Sequence, residues 1–547
     1  MNAAQLFVKS LEAEGVKYIF GLPGEENLLF LDAIRESSIE LIVTRHEQAA
    51  VFMAATMGRL TGKVGVALST LGPGATNLVT GVAYAQLGGM PLIVITGQKP
   101  IRKSKQGRFQ IIDVVRMMEP LTKMATTIVS GERVASLVRE AVKLAEAERP
   151  GVVHLEFPED IAAEEVTSTP LLPQKIRRPG PDPKAILLAV QALERAKHPL
   201  IVIAAGANRK LVRKHLRALI EKTGIPFVAT QMGKGVEDER SPLYIGTTAL
   251  SAGDYVHETF RKADLILMVG HDITEKPPML LDSTVREVIH VNFYQADVDE
   301  VYHPTLEVLG DIAHTLWAIT EQITPQSHWD HTAFLSLRAA LLAHIEESAS
   351  IATFPLRPER LVADLRSVLK EQDILSLDNG MYKIWVARNY PAYEQNTVLL
   401  DNALATMGAG LPAGIAAKML YPDRNVLVVA GDGGIMMNIS ELETATRLGL
   451  DLVVLILNDS GYGMIQWKQT EMNLPSYGLG FTNPDFVGLA TSFGATGHRI
   501  GSTEELVPTL QKAFAAKGVH VIDCPVDYSQ NGVGLGAELR ERIKKTI

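Results

Sequence analysis

Two aspartates follow apolar segments in the last third of the chain, in positions that suit a metal ion. Asp432 lies in the turn Gly431–Gly434 after an apolar run, and Asp459 follows the apolar run 452–457. If these runs are neighbouring strands of a parallel sheet, their carboxyl ends share one edge. Mg²⁺ favours one or two carboxylates together with phosphate oxygens. The pair therefore predicts a site for Mg²⁺ and a phosphate group, although Gly-Asp-Gly alone is usually a simple turn.

A glutamate near the N-terminus lies where a strand-like segment passes into a helical one. Glu47 follows the β-branched run 41–43 and precedes the alanine-rich stretch 49–55. A carboxylate in the first turn of a helix complements the helix dipole, which is the simpler explanation of this residue. The segment alone therefore leaves the role of Glu47 open.

The elements that must position these residues alternate along the whole chain. Short β-branched runs alternate with helical patterns, which is typical of parallel sheets with crossover helices. The runs of this kind are 41–43, 64–68, 92–95, 152–155, 200–203, 265–269, 288–291, 426–429 and 452–457. The predicted fold class is therefore α/β, with three successive doubly wound parallel sheets.

Two proline-rich segments are predicted to be linkers, because they lack helical and strand periodicity. They are residues 167–183 and the residues around 354–358. They predict three α/β domains, at residues 1–166, 184–345 and 356–547. The length of 547 residues also favours several domains, since one hydrophobic core rarely organises so long a chain.

Composition excludes several classes of function. The net charge of −9 argues against binding of nucleic acid or of an anionic membrane surface. A single cysteine, Cys524, excludes an intramolecular disulfide framework and a multi-cysteine metal site. The first residues lack the apolar centre of a signal peptide, and no apolar run approaches the roughly 18 residues of a membrane-spanning helix. We therefore expect a cytoplasmic enzyme.

The succession of Gly431–Gly434, a helix, a strand and Asn458-Asp459 resembles the cofactor motif of thiamine-diphosphate-dependent enzymes. The resemblance implies that Asp432 and Asp459 are side-chain ligands of Mg²⁺ and that the main-chain carbonyl of Gly461 completes the protein's share. Similar matches elsewhere imply further contacts with the cofactor. The cofactor-binding residues implied in this way are Pro73, Asn77, Gly380, Met381, Tyr382, Ala405, Met407, Gly431, Asp432, Gly433, Gly434, Asp459, Gly461 and Tyr462.

Three residues take more specific roles from the same resemblance. Glu47 matches the family's activating glutamate, which hydrogen-bonds atom N1′ of the pyrimidine ring and so promotes removal of the thiazolium C2 proton. Gln110 matches a glutamine that acetolactate synthases direct at the reaction centre. Met407 matches the methionine that separates the two rings of their cofactor, although a methionine is otherwise an ordinary core residue.

From about residue 4 to residue 531 the chain resembles the catabolic acetolactate synthases. The resemblance implies that pyruvate is decarboxylated and joined to a second pyruvate, which gives 2-acetolactate. It also implies at least a homodimer, commonly a homotetramer, with each active site between two subunits. The segment 270–277 lacks the arginine-phenylalanine-aspartate-aspartate-arginine motif of the FAD-containing relatives, and we predict no bound FAD.

One residue departs from that pattern. After Pro23-Gly24, acetolactate synthases usually have a small residue and pyruvate-type decarboxylases a catalytic aspartate, whereas this chain has Glu25. A second carboxyl group at the reaction centre would favour protonation of the carbanion over carboligation. Glu25 is comparably well explained as a solvated acid or as a cap of the following helix. A non-ligating 2-keto acid decarboxylase, or a ligase with another acceptor, is therefore the alternative.

Overall fold

The computed structural model describes residues 1–102, 108–173, 178–209, 211–248, 255–275, 286–297 and 302–531. Its strands form three sheets of six strands each. All pairings between neighbouring strands of these sheets are parallel. The predicted α/β fold class with three parallel sheets is confirmed.

The first sheet has the spatial order β2-β1-β3-β4-β6-β5. Its strands are β1 (Tyr18–Gly21), β2 (Glu40–Val43), β3 (Gly65–Ser69), β4 (Leu92–Gln98), β5 (Met124–Thr127) and β6 (Val152–Pro158). The helices of this part of the chain are α1 (Ala3–Ala13), α2 (Leu28–Arg35), α3 (Glu47–Thr61), α4 (Pro73–Asn77), α5 (Val79–Leu87), α6 (Val114–Met118), α7 (Val134–Glu146) and α8 (Glu159–Ala162).

The second sheet has the order β12-β11-β10-β7-β8-β9. Its strands are β7 (Pro199–Ile203), β8 (Phe227–Ala229), β9 (Tyr244–Thr247), β10 (Leu265–Val269), β11 (Glu287–Asn292) and β12 (Leu306–Leu309). The helices here are α9 (Pro183–Arg195), α10 (Val212–Thr223), α11 (His257–Lys262), α12 (Ile312–Gln322) and α13 (Thr332–Ala349).

The third sheet repeats the strand order of the first, as β14-β13-β15-β16-β18-β17. Its strands are β13 (Ile374–Leu377), β14 (Val398–Leu399), β15 (Val426–Gly431), β16 (Leu452–Asn458), β17 (Thr496–Arg499) and β18 (Val519–Pro525). The helices are α14 (Pro358–Val368), α15 (Met381–Asn389), α16 (Gly410–Leu420), α17 (Asp432–Ile435), α18 (Glu441–Arg447), α19 (Gly463–Glu471), α20 (Phe486–Ser492) and α21 (Leu506–Ala515).

The chain is organised into two compact units. The first comprises Met1–Ile176, Ala403–Pro422 and Met437–Leu450, so the first sheet shares its unit with α16 and α18. Within this unit α16 packs against α3. The second unit comprises Arg177–Asn402, Asp423–Met436 and Asp451–Ile547, and it holds the second and third sheets.

The β-branched runs form strands because both faces of each sheet are covered. All residues of β3, β4 and β10 are buried, as continuous apolar runs in parallel sheets require. Polar side chains cap several helices, for example Asn2 before α1 and Asp182 before α9. Among the described helices, none combines the length and apolar character needed to cross a membrane.

One local sequence signal is wrong. Ser440 and Glu443 match the spacing of a capping box, which predicts reciprocal side-chain hydrogen bonds at the start of a helix. Helix α18 does begin after Ser440, but the Ser440 side chain makes no capping hydrogen bond. Glu443 instead forms an ion pair with Arg447 one turn later in the helix.

The second sheet carries a buried carboxyl group at the carboxyl ends of its central strands. Glu275 follows β10 and is 2% exposed. Its carboxyl oxygens accept hydrogen bonds from the amides of Ala205 and Met232 and from the hydroxyl of Thr230. Burial raises the pKa of Glu275 to about 7, although hydrogen bonds from Thr230 and Ala205 partly offset this effect.

This shift predicts a pH-dependent contribution to stability. Because the folded protein holds the Glu275 proton more tightly than the unfolded chain, the contribution is complete below about pH 4.5 and is lost as the pH rises through about 7. The pKa difference corresponds to about 3 kcal/mol. We expect the unfolding free energy of Glu275→Gln, relative to the wild type, to increase over this pH range, as followed by chemical denaturation. A pH-independent difference would contradict the assignment.

Candidate functional site

The third sheet ends in a carboxylate held by neutral donors. Asp432 opens the short helix α17 after β15 and is 1% exposed. Its Oδ1 accepts from the amide of Gly433 at 2.8 Å. Its Oδ2 accepts from the amide of Ser460 and from the Asn483 side-chain amide, both at 2.7 Å. The carboxylate is thus fixed in direction, as a metal ligand has to be.

A second carboxylate lies beside it. Strands β15 and β16 are neighbours, so Asp459, which directly follows β16, ends at the same edge of the sheet as Asp432. Burial and the negative charge of Asp432 raise the pKa of Asp459 to about 7. A divalent cation would remove the repulsion between the two groups. Within the described ranges no group of three or more His, Cys, Asp and Glu side chains could hold a metal ion. This pair therefore suits a cation that takes its remaining ligands from backbone, water or phosphate.

The turn between β16 and α19 is tightly shaped. Ser460 has φ 54°, a left-handed conformation that is uncommon for a residue other than glycine. Its amide nevertheless points at Asp432. Gly461 follows and pairs with Gly480 through an isolated β-bridge. The predicted carbonyl ligand thus lies two residues after Asp459, in the turn whose Ser460 amide bonds to Asp432.

Close packing explains the glycines after β15. A Cβ atom on Gly433 would lie 2.9 Å from Cε1 of Tyr462, and one on Gly434 would lie 2.7 Å from Oδ2 of Asp378. Either side chain would displace its neighbours. A Cβ on Gly431 would lie 3.3 Å from Cε1 of Tyr382. The structure therefore brings the turn after β13 and the turn after β15 together.

The side chains of Met381 and Tyr382 are buried. Each is 2% exposed, and both belong to the hydrophobic core of the third sheet. Gly380 and these two residues form the start of α15, where backbone amides are available. Any contact of Met381 or Tyr382 with a diphosphate would therefore come from the backbone.

A cavity of about 450 Å³ in the second unit has Asp459 in its lining. Helix α19 contributes Gln466 and Trp467 to its lining, and the segment after β18 contributes Tyr528 and Ser529. None of the residues of α19 is buried. The cavity therefore offers a mixed polar and aromatic surface beside the carboxylate pair.

The first unit places the second group of candidate residues around one loop. Glu47 is the first residue of α3, and its Oε2 accepts from Nδ2 of Asn77 at 2.9 Å. Its Oε1 would lie 3.3 Å from a Cβ atom on Gly74. Helix α4, which begins at Pro73, thus packs beside the carboxylate of Glu47.

Gln110 and Glu25 adjoin the same loop. Gln110 is exposed with φ 58°, and a Cβ atom on Gly72 would lie 3.0 Å from its carbonyl oxygen. Glu25 is also exposed, and Gly24 before it packs so closely on Thr70 that a Cβ atom would lie 2.4 Å from that side chain. The loop after β3 therefore gathers the predicted catalytic residues of this unit.

A buried ion pair supports the turn that carries Glu25. Nζ of Lys99 lies 2.6 Å from Oε1 of Glu26, and both side chains are about 5% exposed or less. Burial would raise the pKa of Glu26, but hydrogen bonds from Lys99 and Thr70 outweigh it and lower the pKa. The sequence gives no motif for this pair.

Ala405 and Met407 also belong to the first unit. Ala405 is exposed with φ 55°, and Met407 is only partly buried. The turn after Met407 is held by Asn438, whose side-chain amide donates to the carbonyl of Gly408 at 2.8 Å. Met407 therefore keeps part of its side chain exposed in this unit.

Asn483 is a site residue that sequence reasoning missed. Besides Asp432, its side-chain amide also reaches Oδ1 of Asn458 at 3.0 Å, so it ties the ends of β15 and β16 together. The only local signal is an Asn-Pro pair, which indicates a turn and no ligand contact.

Three family models match the chain. They are the thiamine pyrophosphate enzyme N-terminal binding domain over residues 1–117, the central domain over 186–319 and the C-terminal binding domain over 378–524. Thiamine pyrophosphate and thiamine diphosphate are the same compound.

Similar proteins cover nearly the whole chain. An acetolactate synthase of Bacillus subtilis is 33% identical over 97% of this chain and 94% of its own length. The catabolic acetolactate synthase of Raoultella terrigena is 32% identical over 98% and 97%. The putative thiamine pyrophosphate-containing protein YdaP of Bacillus subtilis is 30% identical over 95% and 91%.

We expect Asn483→Ala to lower the affinity for Mg²⁺ by about tenfold to a hundredfold, because it frees the Asp432 carboxylate to turn away. Calorimetric titration of Mg²⁺ with saturating diphosphate cofactor measures this. Asn425→Ala is the matched control, since Asn425 also donates to an aspartate, Asp373, but at the amino end of the same sheet. Equal affinities for the two variants would contradict a role for Asn483 at the metal site.

Proposed function

The chain belongs to the thiamine pyrophosphate enzyme family, and we propose that within this family it makes 2-acetolactate. In the proposed reaction one pyruvate loses CO₂, and the remaining two-carbon unit adds to the keto carbon of a second pyruvate with uptake of one proton. The observation that carries the proposal is the similarity to two acetolactate synthases over 97% and 98% of this chain.

The metal in this proposal is Mg²⁺, held by Asp432, Asp459 and the carbonyl of Gly461. The fit rests on the two adjacent carboxylates, because burial and like charge already raise the pKa of Asp459. Diphosphate oxygens would complete the coordination. The residues proposed to contact the diphosphate are Gly380, Met381, Tyr382, Gly431, Gly433, Gly434 and Tyr462, with Met381 and Tyr382 acting through their backbone.

Bound thiamine diphosphate supplies a nucleophilic thiazolium carbon and an electron sink for decarboxylation. In this proposal Glu47 holds a proton at Oε1, directed at atom N1′ of the pyrimidine ring. The hydrogen bond from Asn77 to Oε2 supports that assignment, because it leaves Oε1 beside the side-chain-free Gly74. Pro73, Asn77, Ala405 and Met407 are the proposed contacts of the rings, and Gln110 is proposed to contact the substrate.

FAD is absent in the proposed enzyme. The amide of Ala205 after β7 is already bonded to Glu275 after β10, and the strand order reverses between these two strands, which is where dinucleotides bind to doubly wound sheets. A phosphate group there would have to displace a buried carboxyl group. The contacts of Glu275 therefore favour a structural role for the second sheet, without a bound flavin.

The proposed enzyme is cytoplasmic and at least a homodimer, with a homotetramer as the expected form. Burial raises the pKa of the Cys524 thiol, so this cysteine is inert and fits a structural role. Several apolar side chains around α19 are exposed, among them Ile465, Met472 and Leu474. These exposed apolar side chains support the proposal that the surface around α19 is buried against another subunit.

A second candidate function is decarboxylation without ligation, or ligation to another acceptor. It is favoured by the exposed carboxylate of Glu25, because Gly24 before it packs on the loop after β3, which Gln110 and Glu47 also adjoin. An acid at this place would protonate the carbanion and release an aldehyde.

Incubation of the purified enzyme with pyruvate, thiamine diphosphate and Mg²⁺ separates these functions. We expect acetoin after acidification of the reaction mixture, because 2-acetolactate loses CO₂ in acid. The assay measures acetoin and acetaldehyde in parallel. Acetaldehyde without acetoin would overturn the leading proposal in favour of the decarboxylase.

Glu47→Gln tests the assignment of the activating acid. We expect kcat to fall by about a hundredfold or more, with the affinity for thiamine diphosphate largely kept, because general acid–base catalysis contributes this much. Steady-state kinetics and cofactor titration give both numbers. Glu40→Gln is the control, since Glu40 lies exposed in β2, just before the same helix. Undiminished kcat in Glu47→Gln would refute the role of Glu47.

A further inference from the structure

The short segment between β2 and α3 is held from outside by helix α18. Oε1 of Glu441 accepts hydrogen bonds from the amides of Arg45 at 3.0 Å and His46 at 3.1 Å. Six residues further along α18, the guanidinium group of Arg447 donates to the carbonyl oxygen of Val43. Helix α18 thus binds two amide donors and one carbonyl acceptor of the backbone segment that precedes Glu47.

The Glu441 carboxylate is buried and makes its hydrogen bonds within the protein. The residue is fully buried at 0% exposure, and its Oε2 accepts from the hydroxyl of Thr444 at 2.6 Å. Burial raises its pKa above the ordinary value, while hydrogen bonds from Thr444, Arg45 and His46 act in the opposite direction. A buried carboxyl group with no cationic partner among its hydrogen bonds is costly, so its two backbone contacts have to offset that cost.

The segment that Glu441 holds determines where Glu47 lies. His46 is the N-cap of α3, and its Nδ1 accepts from the amide of Gln48. Glu47 is the next residue and the first of the helix. The direction of its side chain therefore depends on the backbone of Arg45 and His46. A displacement of about 1 Å in such a group lowers turnover by about a hundredfold.

We propose that Glu441 is a positioning residue for Glu47, acting through the amides of Arg45 and His46 and never touching substrate or cofactor. The proposal rests on the role of Glu47 in the proposed function. Acceptor geometry is what matters, because both donors are neutral backbone amides. Glutamine keeps an oxygen at the same reach, whereas aspartate is one methylene group too short to reach both amides.

Three variants separate geometry from charge: Glu441→Gln, Glu441→Asp and Glu441→Ala. We expect Glu441→Gln to keep kcat within about threefold of the wild type. We expect Glu441→Asp and Glu441→Ala to lose about tenfold to a hundredfold in kcat with little change in the KM for pyruvate. The exchange rate of the thiazolium C2 proton of the bound cofactor should fall in the same order.

Amide hydrogen exchange at residues 45 and 46, measured on the full chain without cofactor, tests the contact itself. We expect about tenfold faster exchange in Glu441→Asp and Glu441→Ala than in the wild type and Glu441→Gln. If Glu441→Ala does not fold, the comparison of Glu441→Asp with the wild type tests the proposal. This readout is independent of turnover, so it stands even if Glu47→Gln proves active and the proposed function fails.

Glu146→Ala is the matched control in the same unit. The carboxylate of Glu146 also accepts from a backbone amide, that of Val64 at 3.1 Å, but at the amino end of β3. We expect this variant to lose stability while keeping kcat and the exchange rates at residues 45 and 46. Wild-type kcat and wild-type exchange in Glu441→Asp would overturn the proposal. So would an equal loss of kcat in Glu146→Ala.

Discussion

In a parallel sheet every strand ends at the same edge, and the candidate residues of this chain depend on that constraint. The first and third sheets share one strand order, with β1 and β3 corresponding to β13 and β15. In both sheets the chain reverses its direction of winding between these two strands. Helices then leave toward opposite faces, and backbone amides at the turns remain open to a ligand. The turns of Gly72–Asn77 and Gly431–Gly434 occupy equivalent positions in their own sheets.

Two charged pairs of the second unit differ in their balance of charge. Glu239 is fully buried but paired with Lys234 at 2.7 Å, so its charge is balanced within the protein. Asp432 and Asp459 have the opposite arrangement, since each adds to the repulsion of the other. A like-charged pair destabilises the chain that carries it unless a cation completes it. We interpret the imbalance as the mark of a candidate functional site and the balanced pair as a structural contact.

Much of the fold and part of the site follow from local sequence signals. Long apolar runs such as Leu452–Asn458 become central strands because both of their faces are covered. Short or edge strands such as Val398–Leu399 and Met124–Thr127 carry too few apolar residues to be recognised before pairing is known. Glycine-rich turns are recognisable in the sequence because a side chain does not fit where the backbone packs closely on its neighbours.

Contacts that join distant parts of the chain give no such signal. The bonds from Arg45 and His46 to Glu441 span 396 and 395 residues, and nothing near Glu441 marks it as their acceptor. The bond from Asn483 to Asp432 spans 51 residues. Met381 and Tyr382 show the converse, because the motif predicts them as cofactor contacts, whereas their side chains lie in the hydrophobic core of the third sheet.

Charge near Glu25 bears on which reaction the first unit favours. The pKa of Lys99 is raised first by its hydrogen bond with Glu26, and the charges of Glu159 and Glu25 raise it further. The cation of Lys99 thus lies near three carboxyl groups, and its strongest interaction is the hydrogen bond with Glu26. Carboligation to pyruvate must bring in a second anion after the first has lost CO₂, whereas decarboxylation needs only one. The carboxyl groups around this place disfavour a charged acceptor more than a neutral one, so acceptor charge separates the two proposed reactions.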